Sequence, residues 1–272
     1  TRYQDFSLAK KHIKQLLNTP QRQYENRTQS VVPISEGRLD VDSIRFQYKD
    51  DDEPLLKTLS FSLKRGDSLL ISGAHGSGKS TLLSLIAGIY TADQGTIIIN
   101  GERIETYKPE ELVKHLGYIR TTPLIFRGTI RENITCFGQT DEASAREVAA
   151  LLHVDKDVAK LPSGFDTFLN GNDTDSIPPG LKQRISMVRV LATKPHIILF
   201  DNADRSLDKE GYKMIYSLLA QLRSHVSMIL VSSDQNIRSL ATRHYVLTDG
   251  QLAEARDAVQ KSNIVPYKEL RL

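Results

Sequence analysis

The chain has 272 residues, 39% apolar and 25% charged, a globular balance long enough for a large core and one or two domains. A net charge of +3 is too small to argue for nucleic acid, and the single cysteine, Cys136, excludes an internal disulfide and reads as a buried thiol in a reducing compartment. No apolar run reaches the roughly 18 residues needed to span a bilayer, the start does not read as a signal peptide, and the N-x-S/T sequons at Asn26, Asn133 and Asn172 stand without other signs of secretion.

Residues 3–18 predict a helix: Phe6, Leu8, Ile13, Leu16 and Leu17 are apolar among Lys10, Lys11 and Lys14, and Thr19-Pro20 ends it. The three lysines suit either anionic headgroups or plain solvent. Polar residues Gln21 to Gly37 predict an extended linker. Leu39 to Tyr48 alternates and predicts a strand, Asp50-Asp51-Asp52-Glu53-Pro54 a solvated acidic turn, and Leu59 to Leu63 a second strand. A third strand, Ser68 to Ser72, runs into Gly73-Ala-His-Gly76-Ser77-Gly78-Lys79-Ser80-Thr81, and Thr81 to Gly88 reads as a helix. Further on, Thr96 to Asn100 and Gly117 to Arg120 predict strands, and 109–115 a helix. Helical periodicity around Ala143–Leu152 and Lys182–Leu191 predicts a helical subdomain over 141–194. Strands return at His196–Phe200, Ser227–Val231 and His244–Leu247. Short apolar runs alternating with helices predict a mostly parallel α/β sheet.

The segment from Gly73 to Thr81 is a complete G-x-x-x-x-G-K-S phosphate loop between a strand and a helix, a context that strengthens the pattern. Its backbone N–H groups and the helix N-terminus form an anion cradle. In that chemistry Lys79 reaches the β/γ-phosphates and the Ser80 hydroxyl binds Mg²⁺. His196-Ile-Ile-Leu-Phe-Asp201 is an apolar strand ending in an acid; after a complete phosphate loop, Asp201 is expected to help hold Mg²⁺ rather than to cap a helix. Tyr48, ahead of the loop, is the candidate adenine platform. The sequence therefore predicts binding of a nucleoside triphosphate with Mg²⁺ through Tyr48, Gly73, Gly76, Ser77, Gly78, Lys79, Ser80, Thr81 and Asp201.

Taken in order, these pieces resemble the nucleotide-binding domain of ABC transporters, in particular the exporter branch, over about residues 3 to 255. Phe46-Gln-Tyr48 is similar to the family's adenine-stacking strand, Gly73 to Thr81 to Walker A, and Arg127-Gly-Thr-Ile-Arg-Glu-Asn-Ile134 to the exporter sequence after the Q-loop. Leu161 to Thr167 resembles the approach to the signature motif, Lys182 to Arg189 the signature helix, Ile197 to Asp201 Walker B, and Ser206-Leu-Asp208 the end of the D-loop. Tyr3-Gln-Asp-Phe6 through Asn18-Thr-Pro20 resembles the connector of type I secretion exporters.

The resemblance implies a P-loop NTPase fold of α/β class: a mixed, mainly parallel RecA-like core, an antiparallel β subdomain and a helical subdomain. It implies a connector and linker over 1–38, a nucleotide-binding domain over 39–255 with its helical subdomain at about 122–195, and a tail over 256–272. Its partners would be a second nucleotide-binding domain, as homodimer or heterodimer, and an exporter's transmembrane domain. The start at Thr1 leads to the expectation that this membrane part lies upstream on the same polypeptide, with the domain at the cytoplasmic face of the membrane.

The chain also departs from the family. The glutamate after Walker B, which orients the attacking water, is Asn202; the switch histidine is Ser233; the Q-loop glutamine is Thr121. For the signature L-S-G-G-Q the chain has Ile177-Pro178-Pro179-Gly180-Leu181. The two prolines lack a hydroxyl and two backbone donors, although proline suits a first helical turn. Asn172 stands where exporters carry a glutamate. A lost general base typically slows a reaction about 10²–10⁴-fold, and a lost oxyanion-type donor about 10²–10³-fold. These factors need not multiply. The expectation is therefore a domain that binds Mg-ATP and hydrolyses it poorly, in a homodimer or with a competent partner, since both composite sites are affected. The alternatives are an active transport ATPase with compensated motifs, for instance through Lys182 or Asp204, and a structural or regulatory domain that is not a motor.

Overall fold

A computed structural model describes residues 37–49, 51–172 and 175–255. The expected connector helix, nearly all of the linker and the tail lie outside the described residues, as does Asp50 of the acidic turn. No helix among the described residues is long and apolar enough to cross a membrane.

The strands are β1 (Leu39–Phe46), β2 (Leu56–Leu63), β3 (Ser68–Ser72), β4 (Gln94–Ile99), β5 (Glu102–Arg103), β6 (Leu116–Ile119), β7 (Gly128–Thr129), β8 (Phe168–Leu169), β9 (Ile197–Asp201), β10 (Ser227–Val231), β11 (Arg243–Thr248) and β12 (Gln251–Glu254). The helices are α1 (Lys79–Ile86), α2 (Pro109–His115), α3 (Ile130–Thr135), α4 (Glu142–Leu151), α5 (Val154–Val158), α6 (Pro179–Leu191), α7 (Lys209–Leu222) and α8 (Gln235–Ser239).

Six strands form the main sheet in the order β12-β11-β3-β10-β9-β6, parallel throughout except for the antiparallel edge pair β11–β12. Strands β3, β9 and β10 read as continuous apolar runs because the sheet is covered on both faces. Successive residues point to opposite faces. Leu70, Ile198, Phe200, Met228 and Leu230 therefore join one core, and Leu69, Ile71, Ile197, Leu199, Ile229 and Val231 the other. The second core also holds the buried face of α1 and the inner residues of an antiparallel sheet, β2-β1-β4-β5. The expected α/β class with a mixed, mainly parallel core is the fold observed. β1 keeps a one-sided alternation, broken by register shifts around Ile44.

Several boundaries differ from the sequence reading for tertiary reasons. β2 begins at Leu56 because Leu56 pairs with Phe46 of β1. α1 begins at Lys79, since the N–H of Leu82 already donates to Gly78 O at 2.8 Å. The edge strands β5 and β12, the pair β7–β8 and the helices α3, α5, α7 and α8 were not anticipated individually.

Helices α3 to α6 pack around two buried arginines of α6. Arg189 donates to Asn133 O at 2.7 Å, to Asn133 Oδ1 at 2.9 Å and to Leu124 O at 2.8 Å. Arg184 pairs with Asp157 at 2.6 Å and donates to Leu152 O at 3.1 Å. Asn133 is fully buried, which removes its sequon as a glycan acceptor. Cys136 corrects the buried-thiol expectation: it ends the short helix α3 at φ 51° and is only half-buried.

Candidate functional site

The site follows from sheet order. β3, β10, β9 and β6 are consecutive neighbours and parallel, so the loops leaving their carboxyl ends converge. In open α/β sheets that edge is where ligands bind. Here the four loops bring Gly73, Ser233, Asn202 and Thr121, from sequence positions as far apart as 73 and 233, to one cavity of about 640 Å³. Of the expected residues, Tyr48, Gly73, Gly76, Gly78, Lys79, Ser80, Thr81, Thr121, Asn202 and Ser233 all line it. A contiguous recess carries Asp201 beside Ser80, Thr81, Tyr48 and Thr121. Ser77 takes part through its hydroxyl, which accepts from Lys79 Nζ at 3.1 Å.

The loop's shape depends on glycine. A Cβ on Gly73 (φ 148°) would sit 2.3 Å from Leu247 O, and one on Gly78 (φ 97°) 2.8 Å from the Leu56 side chain. With α1 starting at Lys79, the N–H groups of its first turn have no intrahelical acceptor and are available to an anion. Lys79 Nζ crosses the loop and donates to Gly73 O at 2.9 Å and Ala74 O at 2.6 Å. Burial lowers its pKa; Asp201 opposes this and Arg205 adds to it. An entering phosphate would exchange these carbonyl contacts for charged ones.

The acid behind the loop is built in. Asp201 is 4% exposed, and its two oxygens accept from Tyr118 Oη and from Asn202 Nδ2, each at 3.2 Å. Burial first, with Asp201 adding to it, pushes the Tyr118 hydroxyl up to about 12, so it remains a donor. Each carboxylate oxygen thus takes one bond and keeps acceptor capacity. Among the described residues no cluster of three or more metal-ligating acids, histidines or cysteines exists. One carboxylate plus the Ser80 hydroxyl suits Mg²⁺, which is usually held by one or two carboxylates with substrate phosphates and water. The protein groups present therefore fit Mg²⁺ with a phosphorylated ligand better than a free-standing metal cage.

The same cavity also carries amides and hydroxyls. Asn202 sits at φ 47°, a left-handed conformation that asparagine tolerates, with its N–H donating to Val231 O at 2.7 Å. Thr121 Oγ1 donates to the Asp201 backbone carbonyl at 2.6 Å. Ser233 is exposed on the cavity wall. No carboxylate stands at any of these three positions. Asp204, named as a compensating acid, lies beneath them: Ser232 Oγ donates to its Oδ2 at 3.1 Å, and its Oδ1 is buried without a partner. Burial raises its pKa.

Tyr48 lines the mouth of the cavity, held by its hydroxyl against Thr81 Oγ1 at 2.9 Å and edge-on against Phe46 at 4.9 Å. The Pro178-Pro179 segment starts α6 with Pro178 as N-cap, yet none of Ile177 to Leu181 lines this cavity. Lys182 points elsewhere, donating to Asn172 O at 3.0 Å. Sequence reasoning missed Arg205 and Arg238, which also line the cavity. The available signal was a cation within a few residues of the ends of β9 and β10.

A sequence profile described as ABC transporter matches residues 56–205. A putative multidrug export ATP-binding/permease protein of Staphylococcus aureus is 30% identical over 224 residues, 82% of this chain and 39% of that protein. The uncharacterized ABC transporter ATP-binding protein YfiB of Bacillus subtilis is 34% identical over 221 residues, 80% of this chain and 38% of its own length. A solved structure of a bacterial Atm1-family ABC exporter with ATP bound superposes with a TM-score of 0.77 at 27% identity, covering 92% of this chain and 44% of that one. The chain thus spans about two-fifths of the length of the curated relatives it matches.

Proposed function

The chain belongs to the ABC transporter family, and on that premise we propose that it is an exporter's ATP-binding domain that holds Mg-ATP and hydrolyses it slowly. The observation that carries the reading is the composition of one cavity. The phosphate loop, Lys79 and Ser80 line it, with buried Asp201 in the adjoining recess, and at the positions where the family carries its hydrolytic side chains stand Asn202, Ser233 and Thr121. Lys79 and the α1 N-terminus would hold the phosphates, and Ser80 with Asp201 would hold Mg²⁺. Tyr48 would stack the base. The amide of Asn202 can orient water and cannot take its proton.

Slow turnover still leaves work for the domain. Pairing head-to-tail with a second nucleotide-binding domain would let nucleotide binding move a membrane part at the cytoplasmic face of the membrane. The similar proteins are exporters and ATP-binding/permease proteins much longer than this chain, which supports a membrane part on the same polypeptide. Type I protein or peptide secretion is the finer part of the proposal. Its support is the sequence from Tyr3 to Pro20, outside the described residues.

The test compares binding with turnover. Purified chain should bind Mg-ATP, and Lys79→Ala should weaken that binding about 100-fold, a loss on the order of two charge-assisted hydrogen bonds. Robust Lys79-dependent hydrolysis would overturn the slow-turnover reading.

A further inference from the structure

The cavity has two cations that the family resemblance does not use. Arg205 lies in the turn after β9, and Arg238 belongs to α8, after β10. They line one cavity, each following one of the parallel neighbours β9 and β10, in which Val231 stands opposite Asp201. Among the described residues, neither guanidinium has a hydrogen bond or an ion pair. Arg184 and Arg189, by contrast, are tied to carboxylate, amide and carbonyl oxygens. The lining holds three basic side chains, Lys79, Arg205 and Arg238, against Asp51, with Asp201 in the adjoining recess and Asp204 close enough to Arg205 to feel its charge. Arg205 is close enough to Lys79 to disfavour its proton, and Arg238 acts likewise on His244. Like charges facing one cavity repel until an anion enters, so the wall is complementary to a polyanion.

We propose that Arg205 and Arg238 form a clamp for the terminal phosphate of a nucleoside triphosphate, letting this chain distinguish triphosphate from diphosphate without a partner domain. The planar guanidinium fork matches phosphate oxygens in pairs. Both arginines line the same cavity as Ser233 and the phosphate-loop residues Gly73, Lys79 and Thr81. The loop would hold the inner phosphates by backbone N–H groups and Lys79, and the two arginines the outermost one. This inference rests on the reading of the cavity as an ATP site.

The experiment is calorimetric titration of the 272-residue chain with Mg-ATP and Mg-ADP, its monomeric state checked by light scattering. The wild type, Lys79→Ala and the double variant Arg205→Ala/Arg238→Ala are compared. Arg205 is exposed, Arg238 half-buried, and neither substitution removes an internal bond, so the double variant should fold; its melting curve checks this. The expected result is ATP binding weakened about tenfold with ADP binding unchanged, the size of one net charged hydrogen bond. An unchanged ATP-to-ADP ratio overturns the clamp and leaves the nucleotide site standing, provided Lys79→Ala weakens both ligands. Equal weakening of ATP and ADP also overturns it, by reducing the arginines to a general positive field. Wild-type chain that binds neither nucleotide overturns both readings.

Discussion

The phosphate loop between β3 and α1 and the loops after β9 and β10 leave the same edge of one sheet, and both are backed by strands buried on two faces. They differ in what sets their polar groups. In the phosphate loop the binding residues are also the structural ones: Gly73 has no room for a Cβ, and Lys79 ties three loop oxygens together. In the loops after β9 and β10 the backbone is set by groups outside the chemistry. The Asn202 N–H is taken by Val231 O, and Asp234 caps α8 by accepting from Asn236 N and Ile237 N. The side chains of Asn202 and Ser233 can therefore change at smaller cost to the fold than Gly73 or Lys79, and on the proposed reading a nucleotide grip persists because the grip is also needed for packing.

That contrast can be broken in four ways. The largest effect is expected from Gly73→Ala, which forces a Cβ into the Leu247 carbonyl at a positive φ. It should cost about 3 kcal/mol or more in urea unfolding and abolish nucleotide binding, since backbone strain and overpacking add. A mild effect on either would show that the loop is not rigidly set. Next is the double restoration Asn202→Glu/Ser233→His, which should raise steady-state ATP turnover about 10²-fold, the lower range for a general base. Because Asn202 sits at φ 47°, the glutamate should also lower stability by about 1 kcal/mol. An unchanged rate would place the limiting loss at Pro178 and Pro179 instead.

A smaller effect is expected from Asp201→Asn. Nucleotide affinity in Mg²⁺ should fall about tenfold while affinity in chelator stays the same, since one carboxylate is about all the protein offers the ion. Equal affinities with and without Mg²⁺ in the wild type would refute the metal assignment. The smallest is Asp204→Asn. Burial raises the folded pKa of Asp204, so its ionised form destabilises the fold. The stability it contributes is complete below its unfolded pKa and is lost as pH rises through the folded value. The variant should melt a few degrees higher than wild type at pH 7, with the gain shrinking as pH falls and gone below the ordinary carboxylate range. A gain that persists in acid would place its origin in the unpartnered Oδ1 rather than in the charge.

What could be read from the chain depended on how local each feature is. β3, the loop and α1 are contiguous, and their apolar run, glycines and lysine announce themselves within about twenty residues. α3 was as local, since Thr129 and Glu132 form a capping box, yet its six residues are too few for periodicity to reveal. α7 carries its cap, Asp208, and buried Ile215, Leu218 and Leu219 at helical spacing, so it was legible and passed over. β5 and β12 are short edge strands with few apolar residues. Their existence depends on partners distant from any local signal.

The sequence by itself determined the α/β class, the phosphate loop, the acid at the end of β9 and the absence of a carboxylate at position 202, because each is a matter of residue type or short-range pattern. Only the tertiary structure decided that positions 48, 73, 121, 202 and 233 share one cavity, and that Arg205 and Arg238 join them. It also decided that Asn133 is buried while Cys136 is not. Sheet order is the physical reason. Which strands lie side by side is set by core packing across the whole chain, and it is that order, not spacing along the sequence, that brings loop ends together.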